Sequence, residues 1–238
     1  MFQRKRPQTE IFSSFGWWDK GCFLLQVTGD RCDYIQSCVE RAFGKGALAQ
    51  QEVLEVGCGG GLICVELGRR QALMVGVDPS QGALATAREH TRKGGLGQNI
   101  YYQQGYAEKL PYADGSFSVI ICLDVLEHVQ NLEAAIREIT RVLAPGGIFI
   151  FDTINRTWMA RVALIWYGEH FASGLTPGLH NYDDFIKPVE LRALLTYCGL
   201  QVREIKGFMP NGFAHGHMTM GPGWFMGVSY VGYATKAR

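Results

Sequence analysis

Between residues 52 and 152, short apolar runs alternate with segments of helical spacing, and nothing else constrains the fold of this chain as strongly. Residues 52–56 read as a buried strand, 57–61 as a glycine loop and 62–70 as a helix. A second apolar run over 72–77 ends at Asp78, and Pro79 suits the start of the helical stretch 82–93, which Gly94 and Gly95 stop. Further strands are expected at 99–103, 116–122 and 148–152, with a helix over 132–143 ended by Pro145, Gly146 and Gly147. Such alternation implies an α/β chain with a mostly parallel sheet and helices on both faces. The later part is less regular. A helix is expected at 188–197, with strands at 200–205 and 223–234, which brings the sheet to seven strands.

At 238 residues the chain suits one domain with an appended lid rather than two full domains. No linker divides it. We expect a helical cover over 1–45, a ligand-binding core over 46–156, an insertion or lid over 157–182 and the last part of the sheet over 183–238. Hydrophobic residues make up 47% and charged residues 19%, with net charge +1. That balance gives no basic face for nucleic acid; Arg4, Lys5 and Arg6 read as a solvated end. The seven cysteines include no C-x-x-C pair, which fits buried thiols in a reducing compartment rather than zinc or redox sites. No leader follows the basic start and no run is long and apolar enough to span a bilayer, so a cytoplasmic protein is expected.

The strongest chemical signal is Glu55-Val56-Gly57-Cys58-Gly59-Gly60-Gly61. Glycines between a strand and a helix let backbone approach a ligand, because no Cβ intervenes. A carboxylate at Glu55 is poor company for a pyrophosphate and suits the ammonium of an amino acid. This argues against a dinucleotide oxidoreductase, as does Leu62 where the third spaced glycine of G-x-G-x-x-G would fall. Asp78 ends the second strand, where a carboxylate can accept ribose hydroxyls, although it also reads as a helix cap before Pro79 and Ser80. Three more motifs follow: Gly105 to Tyr112 with Asp114-Gly115-Ser116-Phe117, then Leu123-Asp124-Val125-Leu126-Glu127-His128-Val129, then Arg141 to Gly147.

In this order the motifs resemble the class I S-adenosylmethionine-dependent methyltransferases, over about residues 53–151. The resemblance implies a Rossmann-like sheet, with Gly57 and Gly59 under the methionine part of the cofactor, Asp78 on the ribose and Ala107 by the adenine. Where many members carry Asp, this chain has Tyr106, which is suited to stack on or hydrogen-bond the base. Outside the core, Trp17-Trp18-Asp19, Arg31 to Ile35, Ile154-Asn155-Arg156, His180 to Pro188 and Glu190-Leu191 resemble the ubiquinone-biosynthesis O-methyltransferases. In that family the positions matching Arg31 and Leu123 contact the cofactor, and the acceptor is a phenolic hydroxyl on a polyprenylated ring. Residues 23–30, and Asn181 in place of the usual Asp, depart from the family pattern.

Methyl transfer from a sulfonium expels a neutral thioether, so alignment and removal of the phenol proton, pKa about 10, are what the protein must supply. Asp124, Glu127 and His128 would share one face if a helical turn began there, and could then hold a divalent cation such as Mg²⁺. Two other readings stand beside this one: a metal-free turn that these residues orient, and His128 acting directly as base. His180 is a further candidate base, or a histidine that fixes the insertion. Glu169 and His170 read as a helix's polar face, and His215 and His217 as a pair without a third ligand.

In the insertion, Trp158, Met159, Val162, Leu164, Ile165, Trp166, Tyr167 and Phe171 surround Arg161. A lid packed on the core and a peripheral membrane contact through 157–172 fit this pattern equally. The expected activity is O-methylation of a phenol or catechol on a small apolar, even polyprenylated, aromatic. Methylation of N or C in another small metabolite is one alternative, and a non-catalytic cofactor-binding module is another. Oligomeric state is not legible.

Overall fold

The computed structural model describes residues 8–168, 180–214 and 217–238. Its strands are β1 (Glu52–Val56), β2 (Leu73–Asp78), β3 (Ile100–Gln104), β4 (Phe117–Cys122), β5 (Leu143–Ile154), β6 (Leu200–Ala214), β7 (His217–Gly223) and β8 (Ser229–Lys236). They form one sheet in the order β3-β2-β1-β4-β5-β8-β6-β7. The first five strands pair in parallel, and β8 lies antiparallel between β5 and β6. The helices are α1 (Gln8–Ser13), α2 (Phe23–Phe43), α3 (Leu62–Arg69), α4 (Gln81–Lys93), α5 (Leu132–Val142), α6 (Trp158–Ala160) and α7 (Pro188–Tyr197), with π-helical turns over Arg161–Gly168.

The period of two along the strands sorts their side chains onto two cores. Val53, Val119, Ile121, Ile148 and Ile150 pack with Ile35 of α2 and Val65 of α3 on one face. Leu54, Ile120, Phe149 and Phe151 pack with Ile136 of α5 and Leu191 of α7 on the other. Ile120, Ile121 and Phe149 are fully buried, and each such side chain contributes about 1.5–3 kcal/mol. Helix α5 forms because Ala135, Ile136, Ile139 and Val142 make one buried stripe. The Asn131 side chain caps it by accepting from the Ala134 N–H at 3.0 Å.

The sheet has eight strands where seven are expected, and the added one is β7. Gly207 to Gly223 is rich in Gly, Pro and Asn, which reads as turn chemistry. Two circumstances let it pair. Strand β7 is an edge, and Pro210 lies beyond Gly207, where the β6–β8 pairing ends, so Pro210 has one neighbour to serve. The late strand starts at Ser229 rather than at 223.

β1 and β4 are neighbours at the point where the strand order reverses, and a crevice opens beyond their carboxyl ends. The insertion is described through Gly168. There Ala160 and Phe185 are buried, with Leu164 and Ile165 packed against them, while Trp158 and Trp166 are exposed. Glu169, His170, Phe171 and His215 lie outside the described residues. Among the described residues no helix is long and apolar enough to cross a membrane.

Candidate active site

Strand β1 ends at Val56 and the chain turns through Gly57 and Gly59, at φ +76 and +49, a region that favours glycine. Space demands glycine as well: a Cβ on Gly57 would meet Val125 at 2.2 Å and one on Gly59 the Trp17 ring at 2.4 Å. The Gly57 and Cys58 N–H groups donate to the Val77 carbonyl at 2.7 and 3.1 Å, so the loop lies across the end of β2. Asp78 completes the tie, accepting from the Gly59 N–H at 2.9 Å and the Ser80 N–H at 2.8 Å. The cap of α4 is Ser80, not Asp78: its side chain accepts from the Ala83 N–H at 3.3 Å. Burial raises the Asp78 pKa, and the two backbone donors oppose that rise.

A cavity of about 1080 Å³ opens over this loop, and every candidate catalytic or cofactor residue named from the sequence lines it except Gly59, which lies under Trp17. Glu55 is buried in its wall and accepts from the Cys64 thiol at 2.8 Å. Burial pushes the Glu55 carboxyl up to about 8, against the pull of that hydrogen bond. Ala107 is buried beside the half-exposed ring of Tyr106. Five carboxylates line the cavity, Glu55, Asp78, Glu108, Asp124 and Glu127, against two cations, Arg31 and Lys109. Burial raises Glu55 and Glu127, so the wall favours a cationic ligand where these carboxyls ionise.

Beyond β4 the chain does not enter a helix. Leu123 lines the cavity, and Asp124 adopts the left-handed conformation at φ +52, which Asp tolerates better than most residues. The Asp124 carboxylate meets the Arg31 guanidinium at 2.6 Å, and its N–H donates to Asp152 at 2.6 Å. Asp152 also meets Arg31, at 3.1 Å. Burial works against the Arg31 charge, but Asp124 and Asp152 outweigh it and hold the guanidinium protonated. Glu127 turns inward, where one oxygen accepts from the Thr153 hydroxyl at 2.7 Å and the other, Oε1, is buried without a hydrogen bond. Burial raises its pKa, and Asp124 adds to the rise.

The expected helical face of Asp124, Glu127 and His128 is therefore absent: Asp124 takes a positive φ and pairs with Arg31, while Glu127 bonds to Thr153. Among the described residues no group of three His, Cys, Asp or Glu is arranged to hold a metal ion. As arranged, this set does not fit Mg²⁺. His128 and His180 do come together, with ring centroids 5.6 Å apart, and Phe12 lies edge-on to His128 at 5.6 Å.

Several site residues carry no signal in the sequence. Asp152 is one more strand-end carboxylate, and its pairing with Arg31 is a tertiary event without a spacing. Phe208, Met209 and Met220 of the β6–β7 hairpin, together with Phe225, give the cavity an apolar wall; the hairpin itself is not foreseen. Phe12 and Phe15 stand in a stretch that reads only as cover.

Residues 54–151 match the Methyltransferase domain family. The chain is 34% identical over 201 residues to the ubiquinone biosynthesis O-methyltransferase of Azorhizobium caulinodans, covering 81% of this chain and 79% of that relative. With the Histophilus somni protein of the same name, identity is 35% over 204 residues, covering 82% of each. Among solved structures, a magnesium protoporphyrin IX methyltransferase from Synechocystis with bound SAH superposes at TM-score 0.63, with 18% identity over 93% of this chain and 91% of that one. A Thermotoga maritima methyltransferase, named as a possible histamine N-methyltransferase, gives 0.61 at 21% identity, covering 90% and 92%. The structural likenesses show the fold; the sequence relatives show more. The chain belongs to the ubiquinone biosynthesis O-methyltransferase family and is an S-adenosylmethionine-dependent methyltransferase.

Proposed function

We propose that the protein methylates a phenolic or catechol hydroxyl on a small aromatic with an apolar substituent. One observation carries this reading: a single cavity combines a carboxylate-rich glycine loop, an apolar wall from the β6–β7 hairpin, and two adjacent histidines. The cofactor fits the first of these. Glu55 would take its α-ammonium, the Gly57–Cys58 backbone would allow close approach, Asp78 would bind the ribose, and Tyr106 with Ala107 would lie by the adenine. Arg31 has a buried Nε without a partner, which suits the cofactor's carboxylate, and Leu123 packs beside it. When bound, S-adenosylmethionine supplies an electrophilic methyl group on a cationic sulfur.

The chain's own residues then have two tasks. His128 accepts the phenolic proton, with His180 beside it as the second candidate. Arg31 and Asp152 hold Asp124 in its left-handed turn and so aim the segment that carries His128. Glu127, bonded to Thr153, steadies that turn from beneath. The aromatic and apolar lining excludes water, which leaves the acceptor oxygen as the nucleophile.

The test is a panel of alkenyl-substituted catechols and matching anilines, with product identified by mass spectrometry. We expect O-methyl ethers, and roughly a hundredfold lower kcat in His128→Ala with cofactor affinity unchanged. N-methylated anilines as the main product would move the acceptor to nitrogen. Cofactor binding without turnover on any acceptor would favour a binding module.

A further inference from the structure

Glu55 lines the cavity and is buried, and among the described residues its carboxyl takes its hydrogen bonds from Cys64 alone. No cation pairs with it among these residues: the Arg31 guanidinium is taken by Asp124 and Asp152. The Cys64 thiol donates to Oε2 of Glu55 at 2.8 Å, and the Cys64 backbone bonds to the same carboxyl. Cys64 is the third residue of α3, the helix that follows the glycine loop, and no part of it is exposed. One residue thus ties the first turn of α3 to the carboxyl near the end of β1.

The surroundings of that carboxyl are otherwise poor in charge. Cys58 and Cys64 face it from the loop and α3, Asp78 from β2, Arg31 and Cys32 from α2, Tyr102 from β3 and Cys122 from β4. Burial keeps the thiols and the phenol neutral. Cys64 in particular is raised well above the ordinary thiol range by burial, with Cys58 and Glu55 adding to the rise, so it remains a donor. Of everything that favours the Glu55 carboxylate, the Cys64 thiol acts most strongly, ahead of the Cys64 backbone and of Arg31, while Asp78 opposes it.

We propose that Cys64 is a positioning residue for cofactor recognition, whose thiol holds the Glu55 carboxylate in the orientation that receives the cofactor's α-ammonium. The inference rests on the cofactor placement proposed above. A hydrogen bond to the charged form stabilises that form, so the thiol eases the loss of the Glu55 proton when an ammonium binds. Without the thiol the Glu55 carboxyl, already pushed up to about 8, rises further, and binding near neutral pH weakens.

The experiment titrates S-adenosylhomocysteine calorimetrically into the full chain and its Cys64→Ala and Cys64→Ser variants, in buffers of different ionisation enthalpy. If the Glu55 pKa rises by about one pH unit, Cys64→Ala binds about tenfold more weakly near pH 7 and only about threefold more weakly near pH 8.5. Proton release near pH 8.5 grows from about a quarter to about three quarters of a proton. Cys64→Ser keeps a donor and restores most of both differences. Cys64→Val, which also lacks the donor, repeats the Cys64→Ala profile. A loss independent of pH, an equal loss in the serine variant, or no change in Cys64→Ala would overturn the proposal and leave Cys64 a packing residue. Absence of proton release in the unsubstituted protein would instead remove the Glu55 placement itself, and this inference with it.

Discussion

Under the proposed cofactor placement, Glu55 would couple binding to pH. Its folded pKa of about 8 lies above the ordinary 4.5, because burial penalises the charged form. A carboxyl raised in this way contributes stability to the ligand-free fold that is fully present below its unfolded pKa and is lost as pH rises through the folded value. An ammonium ligand requires the carboxylate, so binding near neutral pH must expel the Glu55 proton. Titration in buffers of different ionisation enthalpy should show proton release on binding, and affinity should rise from about pH 6 to about pH 7.5. Glu55→Gln should abolish the release. A buffer-independent heat in the unsubstituted protein would contradict the assignment. Glu55, Gly57 and Asp78 are legible in the sequence because strand ends and glycine loops fix where such residues point. Asp124, Glu127 and His128 are legible as residues but not as geometry, since a helical spacing rule fails once Asp124 takes a positive φ.

At the scale of elements, the parallel strands are readable from their apolar runs, and β1 and α7 keep their expected bounds. The β6–β7 hairpin is not, because its glycines and prolines argue locally for turns and only the edge position allows them to pair. A long-range contact secures it. The Asp30 carboxylate on α2 accepts from the Met220 N–H at 2.8 Å, tying the cover helix to the edge strand. Asp30→Ala should remove about 1 kcal/mol of local stability. Hydrogen exchange should then speed up severalfold at the β7 amides, with the β1 and β4 amides unchanged. Uniform acceleration across the sheet would show that the hairpin does not open on its own. Since Met209 and Met220 line the cavity, the same variant should weaken acceptor binding more than cofactor binding.

At the scale of the molecule, the parallel half of the sheet sets out the glycine loop and its carboxylates, while the antiparallel half supplies an apolar wall. The N-terminal strap and α2 close over both. A sheet of this kind serves proteins of unrelated chemistry. Activity therefore has to be argued from the cavity rather than from the fold. This cavity is expected to take the cofactor along Glu55, Gly57, Asp78 and Leu123, with its sulfur toward His128. A crystal structure with S-adenosylhomocysteine tests that most directly. The α-ammonium is expected at Glu55, the ribose hydroxyls on Asp78 and the sulfur facing His128. Density for the ligand outside this cavity, or within it with the ribose away from Asp78, would contradict the account.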